Sequence, residues 1–137
     1  EINLWEKNLK RLVDFGHSFS PIIEMRSINT ENPLTHGQAV TLDVLYSCLI
    51  SKSRGMLSSE EVKRIFATTK RLKLPLYHPL FGNSILLKES LSDTMKHRNG
   101  KQNLPIPVRI GKSIFINDFK YEELIQICEQ LKEKNEK

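Results

Sequence analysis

A chain of 137 residues, 39% of them hydrophobic, is long enough for one compact domain with its own core. Its 21 Lys and Arg against 16 Asp and Glu give a formal charge of +5, which favours anionic partners. The cations are dispersed without stacking aromatics, which excludes nucleic acid, and no apolar run approaches the roughly 18–20 residues that cross a bilayer, so a soluble, cytoplasmic protein is expected.

Glu1 rather than a methionine opens the chain, and Ile2 to Leu12 reads at once as helix. Leu4, Trp5, Leu9, Leu12 and Val13 recur near helical spacing up to Phe15-Gly16. Such a start makes the chain an expected part of a longer polypeptide. After Gly16 the pattern resumes with Phe19, Ile22, Ile23 and Met25; Pro21 is tolerated only in a first turn, which puts His17 at a helix start. Ser27 to Thr35, with Asn29, Asn32 and Pro33, is loop by composition. From His36 to about Arg54 the apolar residues Ala39, Val40, Leu42, Val44, Leu45, Cys48, Leu49 and Ile50 cover more than one face, the mark of a central helix.

Gly55 ends that helix, and Ser58 with Glu61 offers a capping box for the next, Ser59 to about Leu72. Pro75, Pro79 and Gly82 make the following stretch irregular before a shorter helix from Leu86 to Arg98 and a turn at Asn99-Gly100. Leu104 to Val108 and Ser113 to Ile116 are expected as two short strands, the first confined to an edge by Pro105 and Pro107. Asn117 or Asp118 is expected to cap a last amphipathic helix through Leu124, Ile127 and Leu131. The fold class is therefore mainly α, one domain over residues 1–137 with one short β-hairpin. Cys48 and Cys128 fall among apolar helical residues, where reduced, buried thiols are expected rather than a disulfide.

Two histidines at helix starts stand beside glycines: His17 in Asp14-Phe15-Gly16-His17-Ser18-Phe19-Ser20-Pro21, and His36 in Pro33-Leu34-Thr35-His36-Gly37-Gln38-Ala39-Val40. Imidazole is the commonest neutral metal ligand, and a neighbouring glycine permits close approach. Their separation of 36 − 17 = 19 residues is too long for the spacing of one zinc helix, so two helix starts would have to converge on one ion. On spacing alone, two ordinary capping or surface histidines remain the favoured reading.

Val13 to Glu24 resembles the dehydroquinate synthase segment Asn-Phe-Gly-His-Thr-x-Gly-His-x-x-Glu, and His36 to Val40 resembles its partner segment His-Gly-Glu-Ala-Val. The resemblance implies that His17 and His36 bind zinc, or cobalt in its place, together with a glutamate from a preceding domain. Asp14 stands where that enzyme has Asn, Pro21 where it has a second His, Gln38 where it has Glu, and Asp43 where Gly is usual. With His97-Arg98-Asn99-Gly100-Lys101-Gln102-Asn103-Leu104-Pro105, the replacements at Asp14, Pro21 and Asp43 are similar to the 2-epi-5-epi-valiolone synthase branch of the sugar phosphate cyclases, whereas Gln38 departs from the family by losing a charge beside His36.

That resemblance implies the C-terminal helical domain of a dehydroquinate synthase-like fold, acting on sedoheptulose 7-phosphate. NAD oxidises a hydroxyl, phosphate is eliminated, the ketone is reduced again, and the opened sugar closes by an intramolecular aldol. Asp14 and Lys96 are the expected catalytic residues. Lys10 or Arg11, together with Asp43, His97, Arg98 and Lys101, is expected to contact substrate, the cations holding its phosphate. Among plainer readings, Asp14 would cap a helix, Asp43 would face solvent, and the cations would form a solvated face. No Gly-rich strand-to-helix phosphate loop occurs, so an N-terminal NAD-binding domain is expected elsewhere, with the active site between the halves and a homodimer as the full-length form. A non-catalytic helical remnant that binds partners, and a true dehydroquinate synthase, are the competing readings; Asp14 and Pro21 argue against the second. This chain alone is expected to be inactive.

Overall fold

The computed structural model describes residues 16–109 and 111–136. The helix expected over Ile2 to Leu12, with Lys10, Arg11 and Asp14, lies outside them. Among the described residues the elements run α1 (Ser20–Ser27), α2 (His36–Ser53), α3 (Ser59–Arg71), a 3-10 turn at Pro79–Gly82, α4 (Ser84–Lys96), β1 (Leu104–Arg109), β2 (Lys112–Ile116) and α5 (Tyr121–Glu136). No described helix is long and apolar enough to cross a membrane.

The axis of the molecule is α2. Leu42, Leu45, Tyr46, Leu49 and Ile50 are almost fully buried on several of its sides, as a helix apolar all round requires. Helices α1, α3 and α5 and strand β1 pack around it. Its first turn is closed by a capping box: the Gln38 N–H donates to Thr35 Oγ1 at 3.2 Å, and the Thr35 N–H donates to Gln38 Oε1 at 3.0 Å. Gln38 thus serves the helix end through an amide oxygen, and this contact needs no charge. At the other end, Gly55 takes the positive φ of 76° that terminates the helix.

The Arg54 guanidinium then reaches α5. It donates to both carboxylate oxygens of Glu123, at 3.1 and 3.0 Å, and to Asp118 Oδ1 at 2.8 Å. Asp118 is accordingly not the cap of the last helix, which begins three residues later at Tyr121 with the Leu124 N–H donating to the Lys120 carbonyl at 3.1 Å. Asn117 is equally engaged elsewhere, its Oδ1 accepting the Asn103 N–H at 2.9 Å. Both expected caps are recruited into long-range links, which outweigh a local preference of about 1 kcal/mol.

The antiparallel ribbon pairs Leu104 with Ile116 and Pro105 with Phe115, and its register slips between Pro107 and Arg109. A two-stranded ribbon has only edge strands, so neither proline removes a bond that an inner strand needs. Leu104 and Ile106 are fully buried, and the Ser51 hydroxyl of α2 donates to the Pro107 carbonyl. The loop before α2 is tied down by buried His78, whose Nδ1 accepts the Leu80 N–H at 3.1 Å while Nε2 meets the Asn32 carbonyl at 2.8 Å. This sets the neutral tautomer with the proton on Nε2.

Cys48 and Cys128 are free and buried. Burial pushes the Cys48 thiol up to about 12, and burial likewise raises that of Cys128. The Tyr46 hydroxyl donates to the Leu124 carbonyl at 2.9 Å with Cys128 Sγ 3.6 Å away.

Candidate metal centre

His17 lies in the turn that enters α1, three residues before the helix begins at Ser20; Pro21 is in the first helical turn. His36 is the first residue of α2. Gly16 allows the turn to lie against α2: its φ is +81°, and a Cβ there would stand 2.8 Å from Val40 Cγ1. Gly37, by contrast, has nothing within 4 Å of where its Cβ would be, leaving the space beside His36 open.

The two imidazoles meet, with ring centroids 5.3 Å apart and planes inclined at 46°. Two rings bound tetrahedrally through nitrogens about 2 Å from one zinc ion have centres roughly 5 Å apart. Glu24, seven residues after His17 and one turn into α1, places Oε1 2.8 Å from His36 Nδ1. A carboxylate there accepts a hydrogen bond from Nδ1–H and leaves the Nε2 lone pair for a cation, the usual carboxylate–histidine–metal arrangement. The donor set therefore fits a divalent ion. No cluster of three His, Cys, Asp or Glu able to hold a metal occurs among the described residues.

Glu24 is a residue of this candidate site that the sequence alone does not single out. Its signal is its place as the acid ending the Asn-Phe-Gly-His-Thr-x-Gly-His-x-x-Glu pattern that Val13 to Glu24 resembles. Its use was not visible, because its partner is 12 residues away on another helix.

The end of α4 closes the other side of the His17 turn. Thr94 Oγ1 donates to the Ser18 carbonyl at 2.6 Å, and Arg98 Nη1 lies 3.4 Å from Ser18 Oγ. The same Arg98 nitrogen donates to the carbonyls of Gln102 and Asn103, each at 3.0 Å. Arg98, expected to contact substrate, thus closes the loop after α4 and braces the turn. Lys96, His97 and Lys101 are exposed around that same helix end.

Asp43 does not face solvent. It is fully buried, and its Oδ2 accepts the N–H groups of Phe19 and Ser20, each at 2.8 Å. Burial raises its carboxyl to about 6, against the lowering pull of those two N–H groups and of the charges on His17 and Arg98. Its Oδ1 has no hydrogen-bond partner among the described residues.

The family profile described as 3-dehydroquinate synthase C-terminal matches residues 1–100. A 2-epi-5-epi-valiolone synthase of Actinomyces is 45% identical over 133 residues, covering 97% of this chain and 34% of that protein. A 3-dehydroquinate synthase of Thermoanaerobacter is 27% identical over 123 residues, covering 89% of this chain and 33% of its own length. Among solved structures, ValA, the 2-epi-5-epi-valiolone synthase of Streptomyces hygroscopicus with NAD+ and Zn2+ bound, superposes with a TM-score of 0.85 at 42% identity. That superposition covers 96% of this chain and 36% of ValA. The chain thus spans about a third of the length of the relatives it matches. Two imidazoles brought together by a helix-entry turn and a central helix, in a mainly helical fold shared with a sugar phosphate cyclase, agree with the profile match, and the chain belongs to the 3-dehydroquinate synthase C-terminal family.

Proposed function

We propose that this chain is the helical C-terminal part of a sugar phosphate cyclase that takes sedoheptulose 7-phosphate, with an NAD-binding domain in the remainder of the polypeptide. One observation carries the reading: His17 and His36, 19 residues apart in sequence, stand with ring centroids 5.3 Å apart while Glu24 holds the Nδ1 of His36. The 45% identity to a 2-epi-5-epi-valiolone synthase supports that branch over dehydroquinate synthase, where the identity is 27%. Asp14, Pro21 and Asp43 support it too, as residues in which the chain departs from the dehydroquinate synthase pattern.

His17 and His36 would hold the metal, zinc by the relative's example and cobalt by similar ligand preference, with a third ligand from the preceding domain. The bound groups supply Lewis-acid polarisation of a hydroxyl and carbonyl and a reversible hydride acceptor. The chain's own contribution is orientation. Glu24 holds the His36 ring, and Lys96, His97 and Lys101 stand as the phosphate-holding cations around the end of α4, beside the turn that bears His17. Lys96 and Asp14 are the catalytic candidates; Asp14, like Lys10 and Arg11, lies outside the described residues. The reduced, buried cysteines suit a cytoplasmic setting, and a homodimer is the proposed full-length form.

Incubating the full-length polypeptide with NAD, zinc and sedoheptulose 7-phosphate is expected to release inorganic phosphate and a cyclitol. The heptulosonate precursor of dehydroquinate is expected to give none. His17→Ala and His36→Ala are expected to lose both the bound zinc and the activity. Metal-free wild-type protein with no turnover on either substrate overturns the proposal in favour of a helical remnant.

A further inference from the structure

Helix α2 meets the His17 turn twice, from one face. His36 opens the helix and Asp43 follows seven residues, about two turns, later, a spacing that puts both on one side. The first brings its ring to His17; the second reaches the backbone immediately beyond it, accepting the N–H groups of Phe19 and Ser20.

Those donors are the start of α1, and its own sequence leaves them open. The N-cap residue is Phe19, which offers no side-chain acceptor, and the first turn holds no acidic residue. A Ser, Asn or Asp at position 19 would cap locally at less cost than a carboxylate buried in the core with one oxygen unpartnered among the described residues. What a local cap would not do is tie the turn to the helix that carries the other imidazole.

We propose that Asp43 is a positioning residue that fastens the segment bearing His17 to the helix bearing His36, so that the spacing of the two imidazoles is set by a single rigid helix. The inference rests on the metal reading of the preceding section. It also gives a use to an acidic residue expected from sequence to contact substrate.

Zinc affinity of the full-length polypeptide, measured by chelator competition, tests it alongside thermal melts. Asp43→Ala is expected to weaken zinc binding at least about tenfold, whereas Asp43→Asn, whose amide oxygen can accept the same two N–H groups, stays within roughly threefold of wild type. Leu131→Ala in α5, a core truncation remote from the turn, is expected to lower the melting temperature and leave zinc affinity unchanged. Where Asp43→Ala does not fold, Asp43→Glu replaces it: the extra methylene displaces the acceptor, and a fall of at least about tenfold is expected again.

Wild-type affinity retained in Asp43→Ala or Asp43→Glu overturns the proposal, as does an equal loss in Leu131→Ala, which would make the effect one of general stability. Full-length wild type that binds no zinc removes the metal reading itself. Zinc-binding wild type with an indifferent Asp43→Ala overturns this inference alone.

Discussion

Glu24 and Asp43 illustrate two ways in which a carboxylate would serve the proposed metal centre without touching an ion. Glu24 is partly exposed and bonds the far nitrogen of His36. Replacing it by Gln keeps an acceptor but permits the amide to flip and ends the charge-assisted bond, so Glu24→Gln is expected to weaken zinc binding by about 10- to 100-fold while the melting temperature of the metal-free chain changes little. Chelator competition and a melt on the same samples check both halves. Asp43 is the buried case. Its carboxyl is raised by burial from 3.8 to about 6, so the fold binds a proton more tightly than the unfolded chain does, and stability falls as pH rises between those two values. For this fully buried group the loss amounts to about 3 kcal/mol. Asp43→Asn is expected to remove that slope, read as the difference between the denaturant midpoints of the two proteins across the interval. Taking the difference matters because Asp118, lowered chiefly by its bond to Arg54, contributes with the opposite sign, losing its share of stability as pH falls. The lowering pull of His17 and Arg98 acts on the Asp43 carboxyl itself, so it belongs to the slope that Asp43→Asn removes.

At the scale of elements, the local signals that hold are the ones whose partners lie within the same few residues. The box of Ser58 and Glu61 closes α3 as its spacing predicts, and Gly55 ends α2. The start of α1 works otherwise, because its cap comes from 23 to 24 residues away on α2. Gly16 lets that happen. Substituting Ala there would impose a side chain on a φ of +81° and drive its Cβ toward Val40 Cγ1 at 2.8 Å. Gly16→Ala is expected to cost about 1–3 kcal/mol in a denaturant titration, more than the same change at exposed Gly37, where the space is open.

On the scale of the whole molecule, the site is held by a helix buried almost all round. Truncation in its interior should therefore register globally: Leu49→Ala, at a position with no exposed surface, is expected to cost about 2–5 kcal/mol and to lower the cooperative melting transition as a unit. The length relation matters as much. The chain spans about a third of the length of its relatives, and the proposed reading accordingly assigns the remaining metal ligand to the rest of the polypeptide.

Much of this was legible in the residues themselves. Element order, the capping box of Ser58 and Glu61, the hairpin around Gly111 and the pairs Gly16-His17 and His36-Gly37 follow from short-range patterns, since periodicity and turn chemistry act over a few residues. The meeting of His17 with His36, the recruitment of Glu24, the burial of Asp43 and the diversion of Asp118 and Asn117 to distant partners were decided only by tertiary structure. Each joins residues a dozen or more apart, and whether a polar side chain caps its own helix or crosses to another depends on which acceptor the packed core brings within about 3 Å.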